Sequence, residues 1–328
     1  MSSHTPHEEL DLAVGDNSPL HYVRTFVEVL KVIGTLLWLI LVGIFKALLP
    51  PGFLPRKSVS NEIVLITGAG CGLGRLMAER FGRLGARLVL WDINEKANQE
   101  TAQMVRDQGG LAHAYTCDLS DREAIYKVAA MVKKEVGEVD ILVNNAGIVT
   151  GKAFNECPDE LIEKTMDVNT RAHFWTTKAF LPSMYSRNHG HVVSIASGAG
   201  LFPCTRLADY CASKYGAVGF AESLALEVDT EERTGINMTL VCPYFINTGM
   251  FEGVTTKFPL ILPILEPDYV VDRIMDAILT NQILLMMPRI LYFIYFLKGF
   301  LPARAGFYIG HVTGTTHSMD EFKGRHKN

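Results

Sequence analysis

Cysteine is sparse and unpaired in this 328-residue chain. The six residues at positions 71, 117, 157, 204, 211 and 242 form no CxxC pair and have no zinc-like spacing to histidine. That excludes a disulfide scaffold and a thiolate metal centre, so no metal is expected. Such cysteines read as reduced, mostly buried small side chains in a reducing compartment. An excess of basic charge is missing as well. A net charge of −4 and a pI near 6.2 leave no footprint for nucleic acid, which requires a basic face. The short basic run 323–327 reads as solvated tail. Internal repeats and low-complexity tracts are also lacking.

What the chain does have is hydropathy, unevenly distributed. Residues 1–19 are polar, with acids at 8, 9, 11 and 16, and are expected to form a disordered leader. An uncharged run follows from Val32 to Phe45, between Lys31 and Lys46. Fourteen helical residues give only about 21 Å, short of the ~30 Å hydrocarbon core. Adding Phe26, Val27, Val29, Leu30 and residues 47–49, with the lysines snorkelling, makes a span feasible. Residues 20–50 are therefore expected to be a membrane-anchor helix; a buried core helix is the alternative. A signal peptide fits poorly, because the run starts late and Ala47-Leu48-Leu49-Pro50-Pro51 is no small-residue cleavage site. Lys46, Arg56 and Lys57 follow the run without intervening acids, which favours a cytosolic catalytic domain.

After a linker at 51–61, apolar runs alternate with helical patterns. Strands are predicted at 62–67, 87–91, 111–116, 139–143, 191–196, 236–241 and 283–287, with 3.6-residue periodicity between them. Continuous apolar strands alternating with helices imply an α/β fold, a Rossmann-type doubly wound parallel sheet of about seven strands. The expected catalytic domain is 62–288, followed at 289–328 by an apolar extension and the basic tail. The sequon Asn237-Met238-Thr239 falls in a predicted buried strand and reads as coincidence. The apolar stretches 244–266 and 290–297 could be core or membrane-facing, and either would sit where such sheets build a substrate crevice.

The turn Thr67-Gly68-Ala69-Gly70-Cys71-Gly72-Leu73-Gly74 joins the first predicted strand to an amphipathic segment. Glycines 68, 72 and 74 would let backbone approach a dinucleotide pyrophosphate at a helix start. Asp92 ends the second strand, near the spacing of an acid that binds the adenosine ribose. A carboxylate there repels a 2′-phosphate, so NAD is the expected cofactor. Arg75 could soften that preference, though an arginine at a helix start commonly points to solvent. Tyr210 and Lys214 lie four apart on a predicted helix and so share one face, where an ammonium would favour the phenolate. Ser197 stands at the carboxyl end of the fifth strand, Asn169 in the long helix after the fourth, and Asn144-Asn145-Ala146-Gly147 at the end of the fourth. Alone, such a serine or asparagine reads as a helix cap or turn residue.

Together these motifs resemble, in order and spacing, the classical short-chain dehydrogenase/reductases over about residues 60–288. The resemblance implies Tyr210 as proton donor or acceptor, Lys214 as the group that lowers its pKa and binds the nicotinamide ribose, and Ser197 as the hydroxyl that polarises the substrate oxygen. It implies Asn169 as support for a water relay, and places Leu73, Asp118, Leu119, Asn145 and Thr248 beside the cofactor with the three glycines. A narrower similarity runs through Leu90-Trp91-Asp92-Ile93-Asn94, Leu207 to Lys214, Thr248 to Gly253 and Leu262 to Pro267. These segments resemble the membrane-bound branch of epidermal-type retinol dehydrogenases, close to the 17-beta-hydroxysteroid dehydrogenases of lipid droplets. The implied activity is NAD-dependent oxidation of a lipid alcohol drawn from the bilayer, all-trans-retinol first. A steroid or other lipid alcohol and a catalytically silent scaffold remain open. Phe202, Tyr244, Phe245 and Phe251 are candidate pocket residues. Residues 290–302 are a candidate second membrane contact, and a homodimer is an open alternative to a monomer. The expected location is the endoplasmic reticulum membrane, with the lipid droplet as the other surface.

Overall fold

The computed structural model describes residues 19–49 and 52–324; the polar leader before Pro19, Pro50 and Pro51, and the end of the basic tail lie outside them. The described chain falls into two units, one ending at Pro55 and one beginning at Arg56. The first unit is essentially one helix, α1 (Pro19–Leu48). Its stretch Pro19–Phe45, 27 residues, is long and apolar enough to cross a membrane. It begins earlier than the uncharged run and takes in Glu28 and Lys31, which pair at 2.9 Å one turn apart.

The second unit is built on seven parallel strands: β1 (Ile63–Thr67), β2 (Arg87–Asp92), β3 (Leu111–Thr116), β4 (Ile141–Asn144), β5 (Gly190–Ile195), β6 (Ile236–Pro243) and β7 (Leu284–Met287). They are ordered β3-β2-β1-β4-β5-β6-β7. Alternation along each strand feeds two cores. Val64, Ile66, Leu88 and Leu90 face Met77 and Phe81 of α2 (Gly72–Arg83), Val105 of α3 (Glu95–Asp107) and Ile274 of the helix before β7. Leu65, Val89, Trp91 and Leu142 face Ile125 and Val132 of α4 (Arg122–Glu135) and Phe180 of the helix before β5. With both faces covered, these strands read as continuous apolar runs. Thr239 of the apparent sequon is buried in β6, consistent with coincidence.

Strand order reverses between β1 and β4, and the crevice outside their carboxyl ends is where such sheets bind ligands. The helix after β4 departs from the pattern expected. It runs as α5 (Asp159–Met166), a π-turn at Asp167–Arg171 and α6 (Ala172–Arg187). The extra residue per turn rotates Asn169 inward, a distortion that periodicity cannot reveal. α7 (Ala208–Thr230) and α8 (Pro267–Leu279) complete the alternation. After β7 come α9 (Ile290–Lys298) and α10 (Ala303–Thr313). The second unit begins at Arg56. Arg56 is ion-paired to Asp276 at 2.7 Å and Lys57 meets His191 Nδ1 at 2.7 Å, so the linker's basic residues already belong to the catalytic unit. The segment after α10 packs onto that unit as far as Lys323; the rest of the basic run, from 325, lies outside the described residues.

Candidate active site

The glycine turn is a cradle by construction. An ideal Cβ at Gly74 would lie 2.1 Å from the Gly68 carbonyl oxygen, and one at Gly68, where φ is +66°, would lie 2.9 Å from Ala146 Cα. Any side chain at either place would push the turn off β4. The turn is stapled there by Asn145, whose Nδ2 donates to the carbonyl oxygens of Thr67 (2.8 Å) and Gly68 (3.3 Å), and by Thr67 Oγ1, which accepts from the amides of Asn145 and Ala146. Cys71 stands at the N-cap of α2 and makes no side-chain cap hydrogen bond, so the first-turn amides of Gly72, Leu73 and Gly74 face the crevice as an anion site. These residues fit a dinucleotide pyrophosphate.

Asp92 is held beside the glycine turn in the same crevice. Its Oδ2 accepts from the Gly70 amide and its Oδ1 from the Asn94 amide, each at 2.8 Å. Arg75 does not point to solvent. Its guanidinium folds back onto the carbonyl oxygens of Gly70 (2.7 Å) and Ala97 (3.3 Å) and onto Thr101 Oγ1 (3.0 Å). Asp118 accepts from the amide and hydroxyl of Ser120. Burial penalises its charge, but those hydrogen bonds and nearby Lys164 outweigh it and hold the carboxyl below its ordinary value. Leu119 and Thr248 line the crevice with them.

Tyr210 and Lys214, one turn apart on α7, are both buried and both reach the same cleft, a cavity of about 320 Å³ that also takes in Ser197, Asp92 and the glycine turn. Lys214 Nζ donates to the Ile195 carbonyl oxygen at 3.0 Å and lies 5.8 Å from the Tyr210 ring centroid. Ser197 follows β5 and caps a short 3₁₀ turn, accepting from the Ala199 amide at 3.1 Å, which leaves its proton to donate. The turn fits against α7 because Gly200 sits where a Cβ would meet the Lys214 carbonyl oxygen at 2.6 Å. Asn169 does not enter the cleft by its amide. Its Oδ1 accepts from the Ile148 amide at 2.8 Å, and its Nδ2 donates to the Ile148 carbonyl oxygen and to Ser213 Oγ, which in turn donates to the Tyr210 carbonyl oxygen. Asn169 thus ties the loop after β4 to the start of α7.

The electrostatics differ from the simple expectation of a tyrosine activated by its lysine. Burial pushes the Tyr210 phenol above its ordinary value, with the Ser197 hydrogen bond only partly opposing. Burial also draws Lys214 down to about 8. In both groups desolvation by burial is the largest cause, and each loses preference for its charged form. His173, one turn beyond Asn169 on α6, was not marked by any sequence signal. It is buried with both ring nitrogens lacking a protein partner, and burial with repulsion from Lys214 holds it neutral, down to about 3. Among the aromatic candidates, Tyr244 and Phe251 line the cleft, and Phe245 packs behind Phe251 at 5.1 Å. Phe202 instead packs edge-on against Tyr295 of α9 at 6.1 Å, so it holds that helix and does not line the cleft.

A stability prediction follows from Lys214. Below pH 8 its ammonium is charged in both folded and unfolded chains, and the folded chain bears the burial cost. Between about 8 and 10.5 the unfolded chain binds the extra proton, so stability rises with pH. The difference corresponds to about 3 kcal/mol, offset by roughly 1 kcal/mol from the bond to Ile195. Lys214→Met is therefore expected to melt higher than wild type at pH 7 in thermal denaturation, with the gap closing toward pH 10. A lower melting point at pH 7 would contradict it.

Comparisons agree with this geometry. The family model described as short chain dehydrogenase matches residues 62–258. Epidermal retinol dehydrogenase 2 of Homo sapiens is 57% identical over 291 residues, covering 88% of this chain and 93% of the relative. Retinol dehydrogenase 10 of Homo sapiens is 47% identical, covering 93% and 95%. Among solved structures, a short chain dehydrogenase/reductase from Burkholderia phymatum in complex with NAD superposes with a TM-score of 0.66 at 26% identity, covering 73% of this chain and 93% of that one. A metagenomic short-chain oxidoreductase in complex with NADP gives 0.59 at 28% identity, covering 70% and 97%. With the glycine cradle, the serine after β5 and the tyrosine–lysine turn of α7 around one cleft, this chain belongs to the short chain dehydrogenase family and is an oxidoreductase acting on CH–OH groups.

Proposed function

We propose that this enzyme oxidises a membrane-dissolved lipid alcohol, all-trans-retinol to retinaldehyde, with NAD as hydride acceptor and Tyr210 as proton acceptor. The observation that carries it is the two-ended cleft. A pinned carboxylate, Asp92, lies at one end, and three hydroxyl and amine groups at the other stand beside an apolar wall that includes Ile148, Tyr244, Met250 and Phe251. The named activities of the relatives, retinol dehydrogenases at 57% and 47% identity, support the same substrate.

The chemistry divides simply. Bound NAD supplies the hydride acceptor and brings a positively charged nicotinamide ring into the cleft. Ser197 donates to the carbinol oxygen and orients it toward Tyr210. Tyr210 Oη takes the hydroxyl proton as the carbinol C–H bond breaks, and Lys214 stabilises the phenolate that accepts it. Asn169 holds the loop and helix that set these distances. Gly68, Gly72, Leu73 and Gly74 would hold the pyrophosphate, and Asp92 the adenosine ribose. Asp118 and Leu119 would flank the adenine, and Asn145 and Thr248 would close the cradle. The test is product analysis in membranes expressing the chain. Retinaldehyde formed with NAD, and far less with NADP, is expected; oxidation of a steroid alcohol without retinaldehyde would overturn the substrate and keep the mechanism.

We further propose that α1 spans the endoplasmic reticulum membrane with the catalytic unit on the cytosolic side, the lipid droplet being the second surface it could occupy. Arg56 and Lys57 contribute less to this orientation than their charge suggests. The first is paired with Asp276, and burial draws the second down to about 8. Lys46, next to the apolar run, is the charge on which the positive-inside argument rests. Exposed aromatics on α9 and α10 and in the turn between them, such as Phe293, Phe296, Phe300 and Phe307, suit a second, interfacial contact. Wild type is expected to stay with membranes in carbonate extraction, and a Leu37→Arg/Ile40→Arg variant to enter the soluble fraction. Retention of the variant would shift the anchoring to residues 290–302.

A further inference from the structure

Beyond α10 the chain turns at Gly314, where φ is +78°, and crosses the loops at the carboxyl edge of the sheet. Thr205 Oγ1 donates to the Thr316 carbonyl oxygen (2.7 Å), the Thr255 amide to the Ser318 carbonyl oxygen (3.1 Å), and the Lys323 amide to the Glu252 carbonyl oxygen (2.9 Å). Arg206 pairs with Asp320 at 3.4 Å. Ser318 and Met319 are each 1% exposed, and Phe322 is half-buried, in a stretch whose other side chains are polar. Two glycines make room for it. Gly151, in the loop after β4, has φ +67°, and a Cβ there would lie 2.0 Å from Phe322 Cε1; Gly253, in the loop after β6, has φ +85°, and a Cβ there would lie 2.0 Å from the Glu321 carbonyl oxygen.

What the segment touches is the substrate wall. Phe322 packs on Phe251 at 6.4 Å between ring centroids, and Phe251 packs on the catalytic Tyr210 at 5.8 Å. Met319 joins the buried cluster of Leu207, Tyr210, Phe245 and Phe251. Phe251 and Met250 line the cleft, whereas among the described residues none beyond Phe251 does, so the segment acts through them. They sit in the irregular chain between β6 and α8, and a loop of that length without secondary structure needs external contacts to hold one conformation.

We propose that residues 315–323 are a positioning strap that fixes Phe251 and the loop around it, and so set which alcohols the cleft accepts; the inference rests on the alcohol-oxidising reading above. The strap lies on the substrate side, away from Asp92 and the glycine turn. It acts through Phe251, and so bears most on a long apolar chain near the carbinol and least on the cofactor, which that loop meets at Thr248.

The experiment uses full-length enzyme in membranes with two allylic primary alcohols: all-trans-retinol and 3-methyl-2-buten-1-ol, which keeps the reacting group and lacks the long chain. For Phe322→Ala, KM for retinol is expected to rise about tenfold or more with kcat within about threefold, while the short alcohol and NAD affinity are unchanged. Phe322→Tyr restores the wild-type KM. Gly151→Ala, which drives a methyl into the Phe322 ring from the other side, reproduces the retinol-specific defect. Equal losses with both alcohols together with weaker NAD binding, or no change with either, overturn the strap. Wild-type membranes inactive with both alcohols overturn the underlying reading instead, and the strap's role in substrate choice with it.

Discussion

Tyr210→Phe is expected to lower kcat for alcohol oxidation by about 10³-fold or more, while NAD binds within about twofold of wild type. The substitution removes one oxygen and leaves the ring in place. That ring is buried and packed edge-on against Phe251, so the wall of the cleft survives. Only the proton acceptor is lost, and neither Ser197 nor Lys214 can replace it: Ser197 is a donor toward the substrate, and Lys214 Nζ is turned onto the Ile195 carbonyl oxygen. The residual rate comes from positioning. Because burial raises the phenol above its ordinary value near 10, wild-type oxidation is expected to go on climbing with pH up to and past 10, with no plateau below it. Single-turnover hydride transfer, with NAD affinity measured separately, checks both statements. A variant that keeps more than about a tenth of wild-type kcat would remove Tyr210 from the chemistry.

The residues that made the sequence readable are those whose role depends on spacing. Strand ends at Thr67, Asp92 and Ile195 fall where apolar runs stop, because a strand buried on both faces must be apolar throughout. Glycines 68 and 74 are legible because nothing larger fits the turn. Asn169 was legible by its motif but not by its geometry, since a π-turn inserts a residue without changing the apolar pattern. Arg75 misled because exposure of a helix start is the common case, and the carbonyls that bind it come from two other segments. Phe322 was hidden for a similar reason. A lone aromatic in a polar stretch just before a basic run carries no periodicity, and only tertiary contact with Gly151 and Phe251 reveals its place. The pKa of Tyr210 lay furthest from reach, because the Tyr-xxx-Lys spacing carries the attraction and says nothing of shared desolvation.

Asp92→Asn is expected to reduce the preference for NAD over NADP by about 10²-fold, chiefly through tighter NADP binding. The carboxylate is immobilised by the Gly70 and Asn94 amides and cannot swing away from a 2′-phosphate. At 4–5 Å, two like unit charges in a partly solvated crevice repel by about 3–4 kcal/mol, and solvent screening leaves roughly 3 kcal/mol, which sets the hundredfold figure. Asparagine keeps one oxygen as acceptor for a backbone amide, so the turn is retained while the charge is lost. Arg75 cannot supply the missing cation in either enzyme, because its guanidinium is committed to Gly70, Ala97 and Thr101. Adding Ile93→Arg supplies one, since Ile93 is exposed at the rim of the same crevice. An arginine there can meet the phosphate in bidentate fashion and should carry the double variant past parity toward NADP. Dissociation constants for both dinucleotides, measured in the single and double variants, decide the matter. An unchanged ratio in Asp92→Asn would mean that discrimination resides elsewhere in the cradle, and would detach the cofactor assignment from this carboxylate.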